Sequence, residues 1–235
     1  MTRLSSASYL ASIRSDTERM VSLLGGSPRW AAPVPSCPGW DLAALVRHVG
    51  GVHRRTAAAV TAATEHPAPA TPAPDEDAAL AAWLADGMEN LVAALSSDPT
   101  TPAKTFDPTD QTVGFWQRRQ TYETVIHRVD LEDALAAESP IASDVATDGV
   151  SEVQDLLIRL RLAQGRLTLP PYSIELHSTD SGATWALGTG ELAGRAEATS
   201  EVLLRRLWHR PSAEPPHVTG HSDEVLAFLD LQLTA

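Results

Sequence analysis

The chain is poor in several residue types, and each shortage excludes something. It has one cysteine, Cys37, among 235 residues, so no internal disulfide can form. It has one lysine, Lys104, and its other cations are arginines. Lys and Arg together number 18 against 30 acidic residues, a net charge of −12. Nucleic acid and anionic membrane surfaces call for a basic patch, and no basic, aromatic-rich cluster is present. Aromatic residues make up only 5% of the chain. No apolar run approaches the roughly 20 residues of a membrane span. The N-terminal stretch MTRLSSASYLASIRSDTERM is amphipathic and carries acids, without the apolar centre or small-residue cleavage site of a signal peptide. A cytoplasmic protein is expected. What the chain has is apolar content, 43%, enough for a core without metal or disulfide staples. A metal site here would therefore serve chemistry. The arginines leave small organic acids as plausible ligands, because a guanidinium grips a carboxylate in a two-pronged fork.

Apolar spacing predicts a first helix over 5–24, stopped by Gly25-Gly26. The loop AAPVPSCPGW follows, then a second helix from Asp41 through DLAALVRHVGGVHRRTAAAVTAA, interrupted by Gly50-Gly51. TEHPAPATPAPDED reads as a stiff exposed connector. A third helix is expected over about 76–96 and a fourth over roughly 112–137, which together suggest a four-helix bundle. The second half changes character. SEVQDLLIRLRLA is helical, SIELHSTD and ATWALG are short strands joined at Ser181-Gly182, and TSEVLLRRLWHR and HSDEVLAFLDL are helices. The expectation is an α+β chain: a helical domain over 1–140 and a small C-terminal α/β domain over 148–235, with the boundary inside ESPIASDVATDG.

The segment TYETVIHRVD places Glu123 and His127 four residues apart, on one face of the fourth helix. Oxygen and nitrogen donors so placed suit a zinc-type ion, which needs at least one more ligand from elsewhere. The bland alternative is a solvated stripe, Arg119, Gln120, Glu123, His127 and Asp130, laced by i,i+4 ion pairs. The second helix offers two histidines. Its buried stripe of Leu42, Leu45, Val46, Val49 and Val52 includes His53, with His48 near the edge. An inward histidine is more often a core residue than a ligand, so periodicity leaves both open. Trp40, Trp83 and Trp116 read as core residues, and Cys37 as a small buried one.

The segments CPGWDLAALVRHVGGVHR and FWQRRQTYETVIHRVD together resemble the mycothiol-dependent maleylpyruvate isomerase family of the DinB-like superfamily. The resemblance extends over most of the chain, including SIELHSTDSGATWALG. It implies a DinB-like four-helix bundle whose helices give one divalent metal, usually zinc, a His, a Glu and a His. Carried onto this sequence, the ligands become His48, Glu123 and His127. Tyr122 stands where relatives are expected to carry histidine, and LWHRPS has His209 in place of the first arginine of the family's Trp-x-Arg-Arg-Pro run.

The implied chemistry is a metal-activated low-molecular-weight thiol, mycothiol, adding to a small electrophilic organic acid. In the namesake isomerase the thiolate adds to a cis double bond, the single bond rotates and the thiol leaves. Arg118, Arg119, Arg206 and Arg210 are the candidates to receive carboxylates, and Tyr122 to orient a ligand. Isomerase and transferase activities both fit. The alternatives are a ligand-binding bundle without chemistry and a metal-dependent hydrolase using water.

Overall fold

In the computed structural model, residues 3–26, 28–62 and 71–234 are described. They fall into two compact units, Ser5–Ser139 and a second made of Pro140–Ala235 together with Met1–Leu4. The first is all-helical. Its α1 (Ser6–Leu24) starts where the Ser5 hydroxyl accepts the Ser8 amide, and it buries Tyr9, Ile13, Met20 and Leu24. Asp41 caps α2 (Leu42–Thr61) by accepting the Ala44 amide at 2.8 Å. This helix runs unbroken through Gly50-Gly51, against expectation. The glycine there serves packing: the Trp83 ring occupies the space a Gly50 Cβ would fill. After a 3-10 turn (Asp77–Ala79), α3 (Leu80–Leu95) buries Leu80, Leu84, Leu91 and Leu95 completely. Asp77–Leu95 is long and apolar enough to cross a membrane by length and composition alone. Its leucines are instead spent on the bundle core. Residues 63–70, which include the first half of the proline-rich connector, lie outside the described residues.

Thr112 caps α4 (Val113–Leu135), which ends where Ala136 turns left-handed at φ 52°. Within the unit, α1 packs on α3 and α4, and α2 on the same two, giving a four-helix bundle in which α2 and α4 are neighbours. Of the 23 residues of α4, 17 are buried, so it has no solvent face in the ordinary sense. The supposed solvated stripe is therefore overturned: Arg119, Gln120 and Asp130 are 6%, 2% and 0% exposed.

The second unit is α+β. It opens with α5 (Ser143–Glu152), continued through a π-helical turn (Val153–Ile158) into α6 (Arg159–Ala163). A four-stranded sheet follows in the order β2-β1-β3-β4, formed by β1 (Tyr172–Ser178), β2 (Thr184–Gly188), β3 (Glu191–Ala198) and β4 (His217–Gly220). β1 and β2 form the antiparallel hairpin expected around Ser181-Gly182, while β1 and β3 run parallel. The two-residue link from β2 to β3 must pass the start of β1. Gly188 (φ 90°) and Gly190 (φ 93°) allow this, since side chains there would strike the Tyr172 and Pro171 carbonyls. α7 (Ser200–Leu207) and α8 (Ser222–Leu229) complete the unit.

Candidate metal centre

Three segments of the first unit build the site. In SCPGW, the Trp40 amide donates to the Cys37 carbonyl across Pro38-Gly39, with Gly39 at φ 85°. Proline then glycine at these positions is what a type II turn requires. The turn brings Cys37 and Trp40 to the start of α2, one and two-thirds turns before His48. α4 supplies the rest, at the spacing of one helical stripe: Glu123, His127 and Asp130.

His48 Nε2 lies 3.0 Å and His127 Nε2 3.4 Å from the same carboxylate oxygen, Glu123 Oε1. Ligands about 2.1 Å from a tetrahedral ion sit about 3.4 Å from one another, so the two separations match a shared cation. One donor atom from each of the three side chains falls within 4.8 Å of the others. The other oxygen, Glu123 Oε2, accepts from Arg119 Nη2 at 2.9 Å. On the far side of His127, Nδ1 stands 2.8 Å from Asp130 Oδ2, and Asp130 is fully buried. A carboxylate there holds the proton on Nδ1 and turns the Nε2 lone pair toward the other two donors, as carboxylate–histidine pairs do at zinc sites. Cys37 Sγ donates to the same Asp130 oxygen at 3.4 Å. Trp40 covers both imidazoles, its ring 4.8 Å from His48 and 6.1 Å from His127.

Electrostatics favour an ionised Glu123 beside a protonated His127. Burial pushes Glu123 up, but hydrogen bonds from His127 and His48 and the Arg119 charge outweigh it and hold the carboxyl well below its usual range. Burial pushes His127 down, yet Asp130, Cys37 and Glu123 together raise it well above its ordinary value. A second donor group, Cys37, His127 and Asp130, shares His127. Its His–Asp contact is a hydrogen bond in length, and Asp130 has no exposure to solvent. The His48 side chain is 31% exposed, which leaves the first group an approach for an ion.

His53 has no place in this cluster. It is fully buried, with Nε2 3.1 Å from Thr124 Oγ1 and Nδ1 without a partner among the described residues. Burial lowers its pKa to about 4. Of the proposed carboxylate receivers, Arg119 reaches Glu123. Arg118 is buried and Tyr122 fully so, and neither lines the cavity beside Glu123. Arg206 and Arg210 belong to the second unit. There Arg206 pairs with Asp230, and Arg210 donates to the Trp208 carbonyl at 2.7 Å. The residue sequence reasoning passed over is Asp130. Its spacing, three after the histidine of Glu-x-x-x-His, is the signal that could have found it.

Residues 10–132 match the family described as "Mycothiol maleylpyruvate isomerase N-terminal domain". The chain belongs to this family. Two solved structures share the fold, a mycothiol-dependent maleylpyruvate isomerase and a histidine-to-alanine mutant described under the same name. Each match covers 93% of this chain and 96% of the other. The TM-scores are 0.68 and 0.70, with 16% and 14% identity respectively. No curated protein matches the sequence. The architecture expected for the family, a helical N-terminal domain followed by a small α/β domain, is the one observed.

Proposed function

We propose that this family member is a divalent-cation enzyme that uses mycothiol to isomerise, or to be transferred to, a small electrophilic organic acid. His48, Glu123 and His127 would hold the cation, zinc being the one their chemistry suits best. The single observation supporting this is the convergence of those three donors at ligand-to-ligand spacing, with His127 already oriented from behind by Asp130. The description of the two solved neighbours, mycothiol-dependent maleylpyruvate isomerase, supports the thiol and the substrate class. When bound, such a cation supplies Lewis acidity and lowers the pKa of a thiol presented to it.

The chain's own residues do the rest. Arg119 holds Glu123 by Oε2 and so keeps Oε1 turned toward the imidazoles. Asp130 fixes the His127 tautomer, and Trp40 walls both histidines and limits water on that side. Metal analysis of the purified protein, followed by turnover of maleylpyruvate with and without mycothiol, tests the reading. One ion per chain and strictly thiol-dependent turnover support it. A metal-free protein overturns it in favour of a binding bundle, and turnover without thiol overturns it in favour of a hydrolase.

A further inference from the structure

The sheet of the second unit buries one face, onto which Ile174, Leu176, Trp185, Leu187 and Ala196 turn. Side chains alternate along a strand, so the residues between these share the other face. Register lays one row of that face across three strands. His177 of β1 stands opposite Glu197 of β3, and Glu197 stands opposite His217 of β4. The neighbouring row sets Glu175 opposite Arg195. The two carboxylates are answered differently. Glu175 meets the Arg195 guanidinium at 2.6 Å, a permanent positive charge. Among the described residues Glu197 meets only an imidazole, with His177 Nδ1 3.0 Å from its Oε2. His48 and Glu123 in the first unit stand at the same separation. His217 is exposed, with no hydrogen bond or ion pair among the described residues. A carboxylate flanked by two histidines, with no arginine to satisfy it, is a donor set short of a cation.

We propose that His177, Glu197 and His217 form a second cation site, for zinc or a similar divalent ion, which clips the edge strand β4 to β1 and β3. Two imidazole nitrogens and a carboxylate oxygen are ligands zinc accepts, and water completes the shell on the open side. Neighbouring strands lie about 4.8 Å apart, so the two histidines flank the carboxylate across about 10 Å, a span their rings close by leaning inward. His177 and Glu197 already stand close enough to share an ion. His217 completes the set by swinging its ring over Glu197, a rotation open to an exposed side chain. β4 has four residues, the fewest of any strand here, and pairs on one side alone. An ion held only by the folded sheet stabilises that edge. With one side in water it exchanges readily, so dialysed protein is expected to keep only an ion held in the first unit. The site takes no ligand from that unit and does not rest on the metalloenzyme reading.

The test adds zinc to dialysed full-length protein, counts bound metal by equilibrium dialysis and follows amide hydrogen exchange over His217–Gly220. One ion beyond the dialysed content is expected, and it should slow that exchange. His177→Ala and His217→Ala should each weaken the added ion at least about tenfold and abolish the slowing, and Glu197→Gln should act in the same direction. Circular dichroism should be unchanged in all three. His221→Ala removes an exposed histidine outside the row and should alter neither reading, and Glu123→Gln should leave the added ion in place. No added ion, an ion indifferent to His177→Ala and His217→Ala, or one lost as fully in His221→Ala or Glu123→Gln overturns the site. An ion bound through the row that leaves β4 exchange unchanged overturns the clip.

Discussion

Two buried polar clusters sit side by side on α4, centred on His127 and on Arg128, and they follow opposite rules. Around Arg128 every charge is answered. Its Nε donates to Asp16, and its Nη1 donates to Glu132 and to the Ser139 hydroxyl and carbonyl. The other oxygen of Glu132 accepts from Arg19 and Ser139. Two guanidinium groups meet two carboxylates. Around His127, three groups that can each donate a lone pair converge at one point, partly open to solvent. The first cluster is complete without a ligand. The second needs a proton or a cation between its donors. What separates the structural network from the candidate site is the convergence of lone pairs at a point that solvent can reach.

Exchanging the damage between clusters is the strongest way to break this contrast. Arg128→Ala takes the guanidinium from Asp16, leaves Glu132 with Arg19 and Ser139 alone, and should cost about 3 kcal/mol, read as a lowered denaturant midpoint. Whatever protein remains folded should keep its full complement of metal. Glu123→Gln should do the reverse, with the fold retained by circular dichroism and metal content dropping from one per chain to near none. A Glu123→Gln protein that still holds one ion, or an Arg128→Ala protein that loses it while folded, removes the distinction.

A third buried group, His53, sharpens the comparison because it joins neither cluster. Its folded-state pKa of about 4 lies below the unfolded value of 6.5. Between those values the unfolded chain takes up a proton that the folded chain refuses, so stability falls as pH drops through the window. The loss attributable to this group reaches about 3 kcal/mol near pH 4. His53→Leu should flatten that arm of the stability curve relative to wild type. An identical acid arm in the variant would mean that His53 is already free to charge in the fold.

The bundle was legible because α1, α2 and α3 each bury one stripe at helical spacing, which the order of apolar residues displays. α4 was legible as a helix but not as a buried one. Its polar side chains read as a solvent face, and only the flanking α1 and α2 turn that stripe into an interior. β3, with the sequence ELAGRAEA, gave no strand signal, since alanine and glutamate have little intrinsic preference for a sheet. It is a strand because β1 and β4 lie on either side of it. At the site, the wheel pointed inward to His53 and was right about its burial. A ligand needs reach to a shared point, however, and His48 at the stripe's edge has it. The cavity beside Glu123 is lined jointly by α2, α4 and Phe106, and no single segment announces it.

Smaller effects should trace how the open cluster is supported from behind. Asp130→Asn keeps the shape but weakens the hold on the His127 tautomer, and metal affinity should fall about 10- to 100-fold, the usual range for such partners. Cys37→Ser should do least. Its thiol donates to Asp130 at 3.4 Å, a distance typical of a weak sulfur contact, and a serine hydroxyl can make the same bond. Metal content in a chelator competition should therefore stay within about twofold of wild type, far short of the Asp130→Asn loss. If the serine variant instead loses its metal as completely as Glu123→Gln, sulfur is a ligand. The ion then belongs to the Cys37, His127 and Asp130 group, and His48 is not one of its ligands.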